Sequence, residues 1–354
     1  MKTLNLSVLF ATASLLPAAC LLAGGVLGGA WAWSGLLVMT VAVWGLDRTA
    51  LPASAGPLLE RGLPLVLATA HFAVLAGTVT AVALPGHLTD SQTGALLLGT
   101  GLWLGQVSNA CAHELIHRQD RVSRLIGAAV FSSMLNGHHV SAHLLVHHVW
   151  AGTGRDPNTA AAGESFYRFM QRAPLQEFRA GWKAESRRQK QGRIHPYTLW
   201  IGGALLSTTA AAFAGGLPGL AAFAALSFYA HMQLMLSDYV QHYGLVRETS
   251  PDGKARPVSN AHSWNAPQNW SGAMMLNAPR HSDHHSHPGR SFSELRYEPV
   301  AMPTLPFSLP VMGAIAFLPP LWRRVMDPRV ARWTATGPVP SEPVVPAVAA
   351  VSPL

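Results

Sequence analysis

The sequence predicts an all-α integral membrane protein with six transmembrane helices and a cytoplasmic, histidine-rich helical cap. Of its 354 residues, 49% are hydrophobic and only 12% are charged, a balance that is uncommon in soluble proteins. Six apolar stretches approach the roughly 20 residues that a helix needs to cross a bilayer. All Lys and Arg residues lie outside these stretches. The chain is therefore expected to cross the membrane repeatedly.

The six predicted spans cover residues 6–27, 30–46, 63–84, 93–112, 197–214 and 217–238. We interpret the first as a retained span, because a signal peptide would end in a small-residue cleavage site and would not be followed at once by a second apolar run. When the chain is threaded through these spans, all 25 Lys and Arg residues fall on one side. Because basic residues resist translocation, that side is predicted to be cytoplasmic, with both termini there.

The domain organisation is predicted to be simple. Residues 1–304 form one membrane domain, and its cap is built from 113–196 and 242–304. Residues 305–337 are apolar but interrupted by prolines, which predicts an interfacial segment rather than a further span. Residues 338–354 are rich in Pro, Val and Ala, which predicts a disordered tail.

Composition narrows the chemistry of any metal site. The chain has only two cysteines, Cys20 and Cys111, which excludes a disulfide framework and a cysteine-based metal site. It has 17 histidines, most of them in short clusters. The net charge of +8 is not accompanied by a basic helix or an aromatic RNA-binding motif, so no nucleic-acid partner is expected. Histidine and carboxylate remain as metal ligands.

The first two histidine clusters have helical spacing. His113 and His117 are four residues apart at the predicted cytoplasmic end of the fourth span, and such residues share one helix face. His143 and His147 are predicted to share a face in the same way, and His148 lies about 100° further round the helix. H-E-x-x-H alone is also the signature of zinc proteases. The remaining clusters argue against that interpretation.

The third cluster holds His281, His284 and His285, a single-face set if the segment is helical, and His242 follows the sixth span. Nine histidines are predicted metal ligands: His113, His117, His143, His147, His148, His242, His281, His284 and His285. One zinc needs three or four ligands, so two ions are predicted. Imidazole suits iron, copper, zinc or nickel, which leaves the metal open. His139, four residues before the second cluster, is an alternative ligand.

Four carboxylates lie among these clusters: Glu114, Asp156, Asp238 and Asp283. A metal-bound imidazole usually donates its other N–H to a carboxylate or carbonyl, so these side chains are predicted to orient the ligands, together with His138. Either Asp238 or Asp283 is expected to come closest to a metal. An alternative for Glu114 is a general base, as in zinc proteases. A metal transporter would place its ligands near the midplane of its spans instead.

The three histidine boxes resemble those of the membrane di-iron desaturase and hydroxylase superfamily. Four runs are similar to those of alkane 1-monooxygenases and xylene-methyl hydroxylases: Gly-His at 137–138, Arg-Asp-Pro-Asn-Thr-Ala at 155–160, Gln-His-Tyr-Gly-Leu at 241–245, and Arg-His-Ser-Asp-His-His at 280–285. The resemblance covers roughly residues 100–295. This sequence departs from the usual pattern at four positions: Ala142 stands in place of Glu, Val146 in place of Gly, Asp238 in place of Asn, and Gln241 in place of Glu. The resemblance therefore indicates the type of reaction more firmly than the identity of the substrate.

This resemblance implies two non-haem iron ions, dioxygen, and hydroxylation of the terminal methyl group of an alkane or similar apolar substrate from the bilayer. The chain has no C-x-x-C pair, so the resemblance implies a separate rubredoxin or ferredoxin with its NAD(P)H reductase. It also implies a bacterial inner membrane. A fatty acid or lipid desaturase or hydroxylase is an alternative, and a non-catalytic metal transporter or sensor is another.

Overall fold

The computed structural model describes residues 4–48, 53–54, 57–250, 252 and 254–336. The predicted tail at 338–354 and the last residue of the predicted interfacial segment lie outside these residues. The regular secondary structure of the described chain is helical apart from two paired two-residue strands, β1 (Leu4–Asn5) and β2 (Ala53–Ser54), and isolated bridges, and turns and loops connect the helices. It divides into two compact units. The prediction of an all-α protein is confirmed.

The first unit consists of Met1–Gly137, Tyr197–Leu234 and Gln268–Leu276. Its helices are α1 (Leu6–Leu27), α2 (Trp31–Leu37), α3 (Val43–Leu46), α4 (Pro57–Ala83), α5 (Asp90–Trp103), α6 (Asn109–Ile116), α7 (Arg121–Ser133), most of α11 (Pro196–His242), and α12 (Asn269–Met274). Two π-helical turns, Val38–Ala42 and Leu104–Ser108, connect α2 to α3 and α5 to α6.

The second unit consists of His138–Pro196, Met235–Pro267 and Asn277–Leu354. Its helices are α8 (His139–Ala142), α9 (His148–Trp150), α10 (Phe166–Arg188), the end of α11, α13 (His281–Ser286), α14 (Leu309–Ala316) and α15 (Pro319–Thr336). A π-helical turn, His143–His147, joins α8 to α9.

Among the described residues, three helical segments are long and apolar enough to cross a membrane: Val8–Leu27, Arg61–Ala83 and Pro196–His242. The predicted span at 30–46 falls on the shorter apolar run Trp31–Leu46. The predicted span at 93–112 falls on α5 and α6, which the π-helical turn divides. Helix length therefore reproduces part of the predicted set of spans.

Helix α11 reverses direction at Gly216. Its 47 residues would extend about 70 Å as one straight helix, more than twice the hydrocarbon core. Gly216 has φ 56° and ψ −147°, a conformation that glycine tolerates. A Cβ built on Gly219 would lie 3.1 Å from the carbonyl oxygen of Ala211, whereas eight residues of straight helix span about 12 Å. The two halves thus fold back on each other, and they coincide with the predicted stretches 197–214 and 217–238.

Small residues bring the helices of the first unit into backbone contact, as is usual for helices packed in a membrane. Gly28 and Gly29, both with positive φ, form the turn between α1 and α2. A Cβ on Gly99 of α5 would lie 2.8 Å from the backbone nitrogen of Leu36 and 3.1 Å from Cδ2 of Leu21. Gly99 therefore sets how closely α5 approaches α1 and α2.

Replacing Gly99 by Ala should separate these helices, because the Leu36 backbone cannot move aside. We expect Gly99→Ala to destabilise the protein by about 1–3 kcal/mol, measured by thermal unfolding in detergent. Gly94→Ala in the same helix is the control, because its Cβ would meet nothing within 4 Å. A Gly99→Ala protein that unfolds at the same temperature as the Gly94→Ala protein would refute this packing.

Candidate metal centre

The π-helical turn at His143–His147 decides which histidines meet. The Nε2 atoms of His143 and His148, five residues apart, lie 2.9 Å from each other. His147 stacks on His143, with ring centroids 5.2 Å apart, but its Nε2 belongs to a different group. The stacked rings confirm the predicted common face of His143 and His147, although the two residues fall in different candidate metal groups. A π-turn adds a residue to the helical repeat, so it aligns residues five apart instead of four.

Helix α13 also divides its histidines. The Nε2 of His284 lies 3.1 Å from that of His148, while the Nε2 of His285 lies 3.1 Å from that of His281. The Nε2 of His242 lies 3.0 Å from that of His281, so His242 joins His281 and His285. The three rings lie together as predicted, with those of His281 and His284 stacked 5.9 Å apart, but His284 falls in a different group from His281 and His285, because neighbouring residues on a helix point about 100° apart.

Two groups of imidazoles result within the second unit. The histidine triad consists of His143, His148 and His284, with the Nε2 of His148 between the other two. The histidine tetrad consists of His147, His242, His281 and His285, whose ligand atoms all lie within 4.8 Å of one another. The rings of His148 and His285 stack with centroids 4.6 Å apart, so the two groups adjoin.

The spacing of these nitrogens suits metal ions. With metal–nitrogen bonds of about 2.1 Å, ligands at right angles are about 3.0 Å apart, and tetrahedral ligands about 3.4 Å. The four Nε2 distances, 2.9 to 3.1 Å, match right angles. The Nε2 of His147 is buried and has no hydrogen-bond partner. The nitrogens of each group therefore lie close enough together to share one metal ion.

The protonation state of His285, a member of the tetrad, also suits a metal. Burial, and next the neighbouring histidines, lower the pKa of His285 well below its ordinary value. The ring is therefore neutral at physiological pH. A metal-binding imidazole must be neutral.

Asp156 holds the ring of His147. Its Oδ2 lies 2.9 Å from Nδ1 of His147 and accepts a hydrogen bond from Oγ1 of Thr159, while its Oδ1 accepts one from the backbone nitrogen of Asn158. Burial disfavours the charged ring, but the Asp156 carboxylate outweighs burial and raises the pKa of His147. Burial likewise opposes ionisation of Asp156, yet His147 holds its pKa below the ordinary value. The predicted orienting role fits this geometry.

Asp238 joins the same network through Asn158, whose Nδ2 donates to its Oδ2 at 2.8 Å. Asp238 is buried on α11, four residues before His242. Asn158 therefore connects the two carboxylates, Asp156 and Asp238. The sequence reading did not single out Asn158, although it lies in the run that carried the family resemblance.

Asp283 has different partners from those expected. Its Oδ1 lies 2.9 Å from Nδ1 of His287, both of its oxygens accept hydrogen bonds from Arg290, and its Oδ2 accepts one from the backbone nitrogen of Arg296. The carboxylate is thus engaged by the segment that follows α13. The expectation that Asp283 approaches a metal is corrected: it secures that loop.

The remaining predicted residues lie as follows. His113 and His117, at the end of α6, have ring centroids 4.8 Å apart, which confirms that they share a helix face. Glu114 forms an ion pair with Arg118 at 3.6 Å. His138 is buried with its ring centroid 5.2 Å from that of Phe178, and burial lowers its pKa.

Glu177 is a buried carboxylate that sequence reasoning missed. Its Oε1 lies 2.6 Å from Nδ1 of His139, and the His139 ring packs against that of His143 with centroids 5.0 Å apart. His139 thus supports a member of the triad and belongs to neither group, contrary to its alternative reading as a ligand. A signal existed, because the buried face of α10 repeats every four residues: Phe169, Ala173, Glu177 and Gly181.

Comparison with known proteins agrees with this geometry. The fatty acid desaturase family model matches residues 91–315. An alkane 1-monooxygenase of Pseudomonas putida is 31% identical over 317 residues, which is 85% of this chain and 77% of the relative. Alkane 1-monooxygenase 1 of Alcanivorax borkumensis is 31% identical over 317 residues, 85% of this chain and 76% of that relative. The hydroxylase component of a Pseudomonas putida xylene/toluene monooxygenase is 25% identical over 344 residues, 92% of this chain and 89% of that protein.

A membrane protein with apolar helices and clustered histidines that can bind metal, matched over most of its length by these relatives, is a member of the fatty acid desaturase family. Within it, the chain belongs to the alkane 1-monooxygenase family of oxidoreductases.

The contact between Asp156 and His147 can be tested by metal binding. We expect Asp156→Asn to weaken iron binding about 10–100-fold, because the ring loses the charge that orients it. Competition with a chelator measures the affinity. Asp252→Asn, at an exposed carboxylate paired with Lys254, is the control and should bind iron normally. Equal affinities in the two variants would contradict the role of Asp156.

Proposed function

We propose that this chain is a membrane di-iron monooxygenase that hydroxylates the terminal methyl group of an alkane or a similar apolar substrate. Dioxygen and electrons from a separate redox protein are the other reactants. The observation that carries the proposal is the division of histidines into two adjoining groups, each with ligand atoms within 4.8 Å of one another. Two adjoining ions are what a di-iron enzyme requires.

The proposed ligands are the nine histidines of the sequence prediction. One iron is assigned to the histidine triad and the other to the histidine tetrad, and His113 and His117 complete the predicted set of ligands. The assignment of His113 and His117 rests on the sequence pattern and on their shared helix face. Histidine suits iron as a ligand.

The protein's own residues serve to hold these ligands. When bound, iron supplies the activation of dioxygen, from which one atom enters the substrate C–H bond and the other leaves as water with two electrons and two protons. Asp156 fixes the ring of His147, and Glu177 fixes His139 beside His143. Such contacts orient ligands and raise their basicity.

The proposed topology has six crossings with both termini in the cytoplasm of a bacterial inner membrane. The reversal of α11 at Gly216 supports two crossings there. The distribution of all 25 Lys and Arg residues supports the orientation. An apolar substrate would then enter from the bilayer, and the cap formed by 113–196 and 242–304 would face the cytoplasm.

The electron donor is proposed to be a rubredoxin or ferredoxin with its NAD(P)H reductase. The chain has two cysteines far apart, so it cannot hold an iron–sulfur centre of its own. The donor would dock on the basic cap. A second candidate function, a fatty acid desaturase or lipid hydroxylase, is favoured by the family model itself, which bears the name fatty acid desaturase.

Product analysis separates these functions. Iron-loaded protein, supplied with reductase, rubredoxin and ¹⁸O-labelled dioxygen, should convert octane to a primary alcohol with one labelled oxygen. Parallel assays with xylene and a fatty acyl substrate define the substrate class. An olefin from the acyl substrate, with no alcohol from octane or xylene, would establish a desaturase and contradict the hydroxylase.

Iron content tests the ligand assignment. The purified chain should bind about two iron ions, and His148→Ala and His147→Ala should each lower the content to about one, because these neighbours serve different ions. Elemental analysis and Mössbauer spectroscopy measure the loss. His195→Ala, outside both groups, should retain both ions. Zinc in place of iron, without oxygen consumption, would favour a transporter or sensor.

A further inference from the structure

The exposed face of α10 carries two parallel stripes. Tyr167, Leu175 and Trp182 are between 44% and 53% exposed, and at about 100° per residue they fall, together with exposed Gln171, along one flank of this face. Exposed cations fall along the other flank: Arg168, Arg179, Lys183 and Arg187. The opposite face of the helix is buried. The helix therefore presents an apolar edge beside a basic edge.

The charge of this face is uniformly positive. The only acidic residues of α10 are Glu177 and Glu185. Glu177 is buried against His139, and Glu185 is partly buried and accepts a hydrogen bond from Oγ of Ser141. No exposed carboxylate interrupts the basic stripe. The face suits an anionic ligand.

The end of α10 lies where a membrane-crossing helix begins. The Trp182 ring stacks on His195 with centroids 4.4 Å apart, and Oγ of Ser186 lies 3.2 Å from Nε2 of His195. His195 directly precedes Pro196, the first residue of α11. Trp182 is therefore held at the level where the chain enters the membrane, the depth that tryptophan favours.

The other end of α10 adjoins a second surface of the same kind. The hydroxyl of Tyr167 donates to the carbonyl oxygen of Phe317 at 2.9 Å. Leu318 and Leu321 follow and are exposed, and exposed Arg323 and Arg324 come directly after them. Exposed apolar side chains beside exposed cations thus also occur next to the first turn of α10.

We propose that α10 lies in the plane of the membrane interface and binds anionic phospholipid headgroups through Arg179, Lys183 and Arg187. A protein-binding site has an apolar centre within a polar rim. Two stripes parallel to the helix axis instead match a helix half-immersed in a bilayer, with its apolar edge among acyl chains and its cations among phosphates. This goes beyond the proposed function, because it needs no bound metal and no turnover.

Hydrogen–deuterium exchange of the full chain in detergent tests this proposal. Titration with short-chain phosphatidylglycerol should slow amide exchange over Phe166–Arg188, whereas short-chain phosphatidylcholine should not. Arg179→Gln combined with Lys183→Gln should weaken the apparent affinity for phosphatidylglycerol about 25-fold, since each cation near an anionic lipid contributes about fivefold. Added salt should weaken it further.

The control is Lys254→Gln combined with Arg256→Gln, which removes two exposed cations from another part of the second unit. This variant should bind phosphatidylglycerol normally. Equal protection by both lipids, or full affinity in the α10 variant, would overturn the proposal. So would an α10 variant that keeps its lipid protection and binds rubredoxin more weakly, because the face would then be a protein-docking site. Loss of iron or turnover would bear only on the proposed function.

Discussion

The angle of about 100° between neighbouring residues on a helix determines which histidines come together in the metal centre. Two histidine doublets, His147-His148 and His284-His285, each send one ring to the triad and one to the tetrad. Two short helices can therefore serve two adjoining sites at once. The π-turn then adjusts the register so that His143 meets His148.

Burial of so many imidazoles constrains the residues around them. A buried polar group without a partner costs about 1–3 kcal/mol, and carboxylates hold two of the buried rings, those of His147 and His139. Asp156 is fixed by Thr159 and the backbone of Asn158, and Glu177 reaches His139 from α10. The same helix presents its exposed stripes on the opposite face. Helix α10 thus supports the histidines with its buried face and presents its exposed stripes on the other face.

Contacts that follow from regular helical spacing were predictable, and contacts that depend on irregular backbone or on other elements were not. Spacing identified the clusters, because residues on one turn meet whatever surrounds them, and the boundary between the predicted spans 197–214 and 217–238 coincides with the reversal of α11. The pairing of His143 with His148 was missed because it depends on a π-turn. Asp283 was misassigned because Arg290 and Arg296 lie further along the chain. Glu177 was missed because 38 residues separate it from His139.

The central claim is that each histidine doublet is shared between two iron ions. Anomalous scattering at the iron absorption edge, measured on crystals of the iron-loaded protein, tests this directly. The account predicts two adjoining peaks, one bounded by the triad of His143, His148 and His284, and the other by the tetrad of His147, His242, His281 and His285. A single peak, or one peak bounded by both members of a doublet, would contradict it.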